Sequence, residues 1–311
     1  MLTILYAGAP KMWPAYQPAL TTALTEAGLP ARLVLPDEVA PDAVDYIVYA
    51  PTGPVQDFTP FTRTRAVLSL WAGVERVVGN PTLSQPLCRM VDDGLERGMI
   101  EWVTGHVLRA HLGMARHIVN PDRIWDQTAP PLARERGVTV LGLGALGAAC
   151  AATLAGLGFQ VTGWSRTPKS LPGIHCESGP DGLLRALRQA EILVTVLPNT
   201  PETTNLLNAE TLALLPRGAT ILNPGRGTLI GDDALLAALN SGQVGQATLD
   251  VFRIEPLPAD HPYWAHPRVT VTPHIAAETR PASAARVIAE NIRRDQEGEP
   301  LMHLVDRTRG Y

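Results

Sequence analysis

The sequence predicts an α/β chain of two Rossmann-like domains with parallel sheets, the smaller one discontinuous, and three observations carry that prediction. Short apolar runs alternate with helical patterns along most of the chain, as in repeated βαβ units. A strand opening at Val138 runs directly into a glycine-spaced turn and a helix. With 311 residues, 45% hydrophobic and 18% charged, the chain is long enough for two domains and apolar enough to bury both cores.

That composition excludes a disordered or collagen-like chain, neither of which could bury so much apolar surface. The net charge is −4 and no basic stripe stands out, which points away from nucleic acid or an anionic membrane as partner. The N-terminal run Leu2–Tyr6 has no basic residue before it and is far shorter than the ~20 residues of a spanning helix. It reads as a first strand, and a soluble cytoplasmic protein is expected.

Further strands are expected at Ala31–Leu35, Tyr46–Tyr49 and Ala66–Ser69, with a helix at Ala15–Ala27 closed by Gly28. This first block carries no phosphate-loop signature. A long helical pattern, Met99–His117, follows, with Met99, Val103, Val107 and Leu112 expected on one side, and then a proline-rich stretch, Pro121–Pro131. After the Val138 strand come a helix at Ala148–Leu157, a strand at Phe159–Trp164, a helix at Asp181–Gln189 and a strand at Ile192–Leu197. The series continues with a helix at Ala209–Leu214, a strand at Ala219–Leu222, a helix at Asp232–Leu239 and strands at Ala247–Val251 and Val269–Thr272. A last helical stretch, Arg280–Gln296, is expected to return to the first block. The expected division is therefore residues 1–98 plus 284–311, a flavodoxin-like substrate domain, and 99–283, a Rossmann domain.

The three cysteines, Cys88, Cys150 and Cys176, show neither a CxxC pair nor metal-ligand spacing, so a reducing compartment is expected. Cys150 lies in an alanine-rich run and reads as a small core residue. His106, His111 and His117 sit five and six residues apart, which does not align ligands on one helix face. His261 and His266 read as loop residues, and no metal is expected.

The turn after Val138 is Gly142-x-Gly144-x-x-Gly147, in the strand–turn–helix context that makes such glycines a dinucleotide fingerprint. The first glycine permits the tight turn, the second lets backbone approach a pyrophosphate, and the third packs helix on strand. Gly142, Gly144, Leu146 and Gly147 are the candidate cofactor contacts, and the N–H groups of the following helix start favour the negative diphosphate. An NAD-preferring site has an acidic residue about 20 positions after the first glycine. Here the next strand ends Gly163-Trp164-Ser165-Arg166-Thr-Pro-Lys169, with no carboxylate in that window. Ser165, Arg166 and Lys169 suit a 2′-phosphate, so NADPH is the expected cofactor, with NADH possible at lower preference.

Three later segments each place one ionisable residue just after an expected strand: Arg226 in Leu222–Gly227, Glu255 in Leu249–Pro258 and His274 in Thr272–Ala276. Open α/β sheets bind ligands at that end of their strands. Taken singly, an arginine there is more often a surface ion pair, a glutamate a turn residue and a histidine a loop-bonding residue. Together they suit hydride transfer to a 2-keto acid. A histidine titrating near neutrality protonates the developing alkoxide. A glutamate favours its charged form and fixes its orientation. An arginine forks onto the substrate carboxylate and polarises the carbonyl.

These segments resemble the D-isomer-specific 2-hydroxyacid dehydrogenase family, through the glycine-rich loop, Asn223-x-x-Arg226-Gly, Asp250-x-x-x-x-Glu255-Pro and Pro273-His274. Trp164-Ser-Arg, Leu197–Thr203, Arg253-x-Glu-Pro-Leu-Pro258 and the terminus Val305–Tyr311 resemble its glyoxylate/hydroxypyruvate reductase branch. The resemblance implies NADPH-dependent reduction of glyoxylate or hydroxypyruvate, with His274 as acid/base, Glu255 as its partner and Arg226 as the clamp. It implies that Leu70–Glu75 lines the substrate cleft, through Ala72, Gly73 and Val74, the last two by backbone N–H. The Pro198–Thr203 loop and Leu197 would cover the cofactor, with Trp164 and Asp250 among its neighbours. Asn223, Pro224 and Gly225 would meet the cofactor too, Pro224 only through its carbonyl. Trp264 is placed to wall the substrate cleft or to pack. Gly225 stands where many relatives carry a small side chain, and a looser loop is expected there. A homodimer through the nucleotide domain is implied. Two alternatives stay open: a relative acting on a bulkier keto acid or phosphoglycerate, and a dinucleotide-sensing binding protein.

Overall fold

The computed structural model describes residues 1–307; the expected terminal motif therefore lies outside the described residues from Thr308 onward. The chain divides into two compact units, Met1–Leu95 with Glu278–Tyr311 (described to Arg307), and Glu96–Ala277. These boundaries sit three and six residues before the expected ones, because the side chains at both junctions serve different units. Asp92 Oδ1 accepts the Leu95 N–H at 3.3 Å, and Thr279 Oγ1 donates to the Leu70 carbonyl at 2.7 Å, both within the first unit. Ala276 is buried with Met99 and Val103 in the second.

The first unit holds β1 (Leu2–Ala7), α1 (Trp13–Glu26), β2 (Ala31–Val34), β3 (Tyr46–Tyr49), β4 (Ala66–Ser69) and β5 (Leu87–Cys88). The next helix, α2 (Asp93–His111), begins in it and continues into the second unit. The sheet is wholly parallel with strand order β2-β1-β3-β4-β5, the flavodoxin-like order. Strand residues alternate between two buried faces, which is why the strands read as continuous apolar runs. Ile4, Tyr6, Tyr46 and Val48 pack against Tyr16, Leu20 and Leu24 of α1 and Ala285, Ile288 and Ile292 of the C-terminal helix. Leu5, Ile47, Tyr49 and Val67 meet Phe58, Phe61, Val77 and Leu83, so loops rather than helices cover the second face.

The second unit adds α3 (Ala115–Ile118), β6 (Gly137–Leu141), α4 (Ala145–Gly156), β7 (Gln160–Ser165), β8 (His175–Ser178), α5 (Gly179–Arg188) and β9 (Ile192–Thr195). Then come α6 (Ala209–Leu212), β10 (Ala219–Asn223), α7 (Asp232–Ser241), β11 (Val244–Leu249) and β12 (Val269–Val271); α8 (Pro281–Gln296) belongs to the first unit. The sheet order β12-β11-β10-β9-β6-β7-β8 is that of a doubly wound fold, with the crossover reversing between β6 and β9. Met99, Val103 and Val107 of α2 and Cys150, Ala151 and Leu154 of α4 cover one face. Leu183 and Leu187 of α5 and Leu235 and Leu239 of α7 cover the other.

The expectation for the long helix needs correction, at its bounds and at Leu112. The helix expected at Met99–His117 starts at Asp93 and breaks at Gly113, whose φ is +61°. Its buried stripe steps in fours to His111, edge-on to Phe159 with ring centroids 5.0 Å apart, and Leu112 is instead 40% exposed. Two strands, β5 and the polar edge strand β8, had no apolar run to mark them. Cys150 is fully buried, and burial pushes its thiol up to about 12. No helix among the described residues is long and apolar enough to cross a membrane.

Candidate active site

The glycine turn separates into two kinds of position. Gly142 has φ +104°, where only glycine is relaxed, and its N–H donates to the Trp164 carbonyl at 2.8 Å. A Cβ on Gly147 would run into the Gly142 carbonyl oxygen, so both residues are demanded by the fold itself. Gly144, at the N-cap of α4, is different: a Cβ there would meet no protein atom within 4 Å. The protein gives no packing reason for a glycine at this exposed helix start, whereas a phosphate group drawn close to the backbone does. Leu146 is half-buried against the α4 side of the sheet.

At the end of β7, Trp164 is buried in the core and its Nε1 donates to the Gly179 carbonyl at 2.8 Å. Ser165 is buried as well, with its hydroxyl donating to the Thr167 carbonyl at 2.7 Å, so it holds the turn. Arg166 and Lys169 are exposed beyond it. The Glu202 carboxyl is held below its usual range by the Thr200 hydroxyl first, with the Arg166 charge contributing. Arg166 thus lies within electrostatic reach of the Pro198–Thr203 loop. That loop is closed on itself: Thr203 Oγ1 donates to the Pro198 carbonyl at 2.7 Å and accepts the Thr200 N–H at 2.8 Å. Leu197 belongs to the core below.

The loop after β10 hangs on Asn223, which is buried. Its Oδ1 accepts the Thr195 hydroxyl at 2.7 Å and the Gly225 N–H at 3.1 Å, and its Nδ2 donates to the Arg226 carbonyl at 3.0 Å. Pro224 and Gly225 are buried beside it. The looser loop expected at Gly225 is not what the packing gives: a Cβ there would stand 2.8 Å from the Thr195 carbonyl oxygen. Glycine is the residue that fits. Arg226 Nη1 donates to the Gly225 carbonyl at 2.7 Å.

Asp250 follows β11 and is fully buried. One carboxylate oxygen accepts the Thr272 hydroxyl at 2.5 Å and the Ile275 N–H at 3.0 Å, and the other accepts the Ala276 N–H at 2.8 Å. The Asp250 carbonyl accepts the His274 N–H at 2.8 Å. Its side chain therefore builds the histidine loop. That loop puts His274 at φ +55°, an unusual conformation for a residue with a Cβ, sustained by these bonds.

His274 Nδ1 lies 2.8 Å from Glu255 Oε2, and Glu255 Oε1 accepts the Phe252 N–H at 2.9 Å. The hydrogen bond to Glu255 raises the His274 pKa most; burial opposes it, the charges of Glu255 and Asp250 add, and Arg226 subtracts. For Glu255, burial alone would raise the pKa. The bonds from His274 and the Phe252 N–H, with the charges of His274 and Arg226, outweigh it and leave the carboxyl below its usual range. Arg253, read from the sequence only as a motif residue, anchors this loop: it bonds Asn205 Oδ1, the Ile230 carbonyl at 2.5 Å and Asp232 at 3.2 Å. Trp264 is half-exposed, with Nε1 donating to the Pro258 carbonyl at 2.9 Å. His261 accepts the Tyr263 N–H at 3.3 Å, a loop role as expected.

In the first unit, the Leu70–Glu75 segment is pinned at its start. Ser69 Oγ accepts the Trp71 N–H at 3.0 Å, and the Trp71 carbonyl accepts the Met90 N–H at 3.0 Å. Ala72 and Gly73 are half-buried and Val74 is in the core. Among the described residues, no three His, Cys, Asp or Glu side chains gather as a metal site.

Residues 107–276 match the family profile of the D-isomer specific 2-hydroxyacid dehydrogenase, NAD binding domain. The chain belongs to this family. A family member from Xanthobacter autotrophicus Py2, in complex with NADPH and MES, is 41% identical, with 99% of each chain covered and a TM-score of 0.93. An NADPH-dependent glyoxylate/hydroxypyruvate reductase from Sinorhizobium meliloti, in complex with NADP and sulfate, is 31% identical over all of both chains, with a TM-score of 0.87. A probable 2-hydroxyacid dehydrogenase from Rhizobium etli CFN 42, in complex with NADP, HEPES and L(+)-tartaric acid, is likewise 31% identical over both whole chains, with a TM-score of 0.90. The two parallel sheets of this dehydrogenase are thus those of its family.

Proposed function

We propose that this dehydrogenase reduces small 2-keto acids, glyoxylate and hydroxypyruvate first, with NADPH as the reductant. The observation that carries the reading is the 2.8 Å contact between His274 Nδ1 and Glu255 Oε2, with Arg226 close enough to act on both charges.

The residues fit the cofactor. Gly142, Gly144, Leu146 and Gly147 would take the diphosphate at the α4 N-terminus, where Gly144 leaves room for it. Arg166 and Lys169 would hold the 2′-phosphate at the end of β7, which Trp164 and Ser165 shape, and the segment Gly163–Lys169 carries no carboxylate of its own. Leu197, Pro198, Thr203, Asn223, Pro224, Gly225 and Asp250 would border the remainder. Bound NADPH supplies the hydride.

The rest is the work of side chains. Glu255 holds Nδ1, so Nε2 is the imidazolium nitrogen left to protonate the keto oxygen. Arg226 would fork onto the substrate carboxylate and stabilise charge developing on the carbonyl. The family resemblance supports Ala72, Gly73 and Val74 as further carboxylate contacts, through the Gly73 and Val74 N–H groups; Trp264, half-exposed and close in sequence to Glu255, would supply an apolar wall. A homodimer is part of the proposal, supported by the exposed apolar side chains Ile118, Val119, Ile124, Trp125 and Leu132.

Initial rates of NADPH and NADH oxidation with glyoxylate, hydroxypyruvate and pyruvate, compared as kcat/KM, test the reading. Preference for NADPH with the first two acids supports it. Preference for NADH overturns the cofactor assignment, and cofactor binding with no turnover favours a sensor.

A further inference from the structure

We propose that Thr195 is a positioning residue for Arg226, acting through the Asn223 side chain, and that it thereby sets the affinity for the keto acid. The inference rests on the function proposed above.

Thr195 ends β9, and Asn223 ends the neighbouring β10. Neither side chain is more than 1% exposed. The two donors on Asn223 Oδ1, the Thr195 hydroxyl and the Gly225 N–H, decide which way the amide faces. Nδ2 is thereby turned to the Arg226 carbonyl, 3.0 Å away. The backbone on both sides of Arg226 therefore hangs on one buried amide. The main chain of Asn223 extends the same support, since its carbonyl accepts the Asp250 N–H at 3.0 Å, and Asp250 holds the His274 loop.

The Thr195 hydroxyl is the part of this arrangement that β9 itself does not require. Ile192, Leu193 and Val194 before it are apolar and buried, and valine would suit the same strand position and nearly the same volume. With valine, Asn223 Oδ1 keeps only the Gly225 donor, and the amide orientation is less firmly fixed. The Glu255–His274 pair gains and loses nothing directly.

Thr195→Val and Thr195→Ser separate this role from packing. With valine, the glyoxylate KM should rise by about tenfold, the scale of one buried hydrogen bond lost. The pH profile should stay near wild type, because the Glu255–His274 pair is not touched, and backbone amides 225–229 should exchange hydrogen faster. Serine, which restores the hydroxyl, should restore the KM and the exchange. An unchanged KM with valine, or an equal loss with serine, overturns the proposal. If the valine variant does not fold, Asn223→Asp replaces the donor facing Arg226 by an acceptor, and an unchanged KM and exchange rate there overturn it. If wild type reduces no keto acid, the functional reading fails, and the exchange of amides 225–229 alone decides whether Thr195 positions the loop.

Discussion

The imidazole of His274 is held by its Nδ1, 2.8 Å from one oxygen of Glu255, while the other oxygen of that carboxylate takes the Phe252 N–H at 2.9 Å. Glu255 is thus fixed at both ends and cannot swing away from the ring without breaking a bond to its own loop. The pair lies beside Arg226, which favours the charged form of the glutamate and disfavours that of the histidine. On the proposed function, a ring held at Nδ1 beside an arginine is what protonation of a carboxylate-bearing ketone needs.

Gly144 and Gly147 should separate fold from binding. Gly144→Ala meets no protein atom, so its stability should stay within about 0.5 kcal/mol of wild type, while NADPH binding weakens. Gly147→Ala runs into the Gly142 carbonyl and should lower stability by at least 1–3 kcal/mol, the scale of overpacking. Thermal melts with and without NADPH measure both effects.

Arg166 should govern cofactor choice. A charge-assisted hydrogen bond contributes ~1.5–3 kcal/mol, so Arg166→Ala should weaken NADPH binding roughly ten- to a hundred-fold and leave NADH nearly unchanged. Fluorescence titration with each nucleotide reads this directly. Equal losses for both would show that the residue supports the loop rather than reading the phosphate.

Much of this was legible in the sequence because the chemistry and the pattern coincide. The strands Tyr46–Tyr49 and Ala66–Ser69 lie where the apolar runs put them, since both of their faces are buried. The edge strand His175–Ser178 was invisible because its residues are polar and its faces are only partly covered. His274, Glu255 and Arg226 were readable as types at strand ends. Thr195 and Asn223 as a pair were not, because they are 28 residues apart and meet only once β9 and β10 are neighbours. The same holds for Asp250, whose acceptors organise a loop more than twenty residues away.

The exposed apolar side chains between Met114 and Leu132 should be covered in a dimer. Trp125 alone is 86% exposed. Sedimentation of wild type should give twice the chain mass, and Trp125→Asp should shift it toward the monomer, because a charge in an apolar contact is costly to desolvate. A wild-type monomer at micromolar concentration would refute the assembly.

The pH dependence of kcat/KM for glyoxylate reduction, wild type against Glu255→Gln, tests the central claim most directly. On the proposed mechanism reduction needs His274 protonated, so the rate should fall as pH rises through its raised pKa, above the ordinary value near 6.5. The pair's contribution to stability has the same alkaline limit, and at acid pH it is lost as Glu255 protonates, below the usual carboxylate range. Glu255→Gln removes the largest cause of the raised value and leaves burial and Arg226 pushing the other way, so the alkaline limb should move to lower pH. An alkaline limb that stays in place would contradict the assignment of His274 and Glu255 as the proton-donating pair.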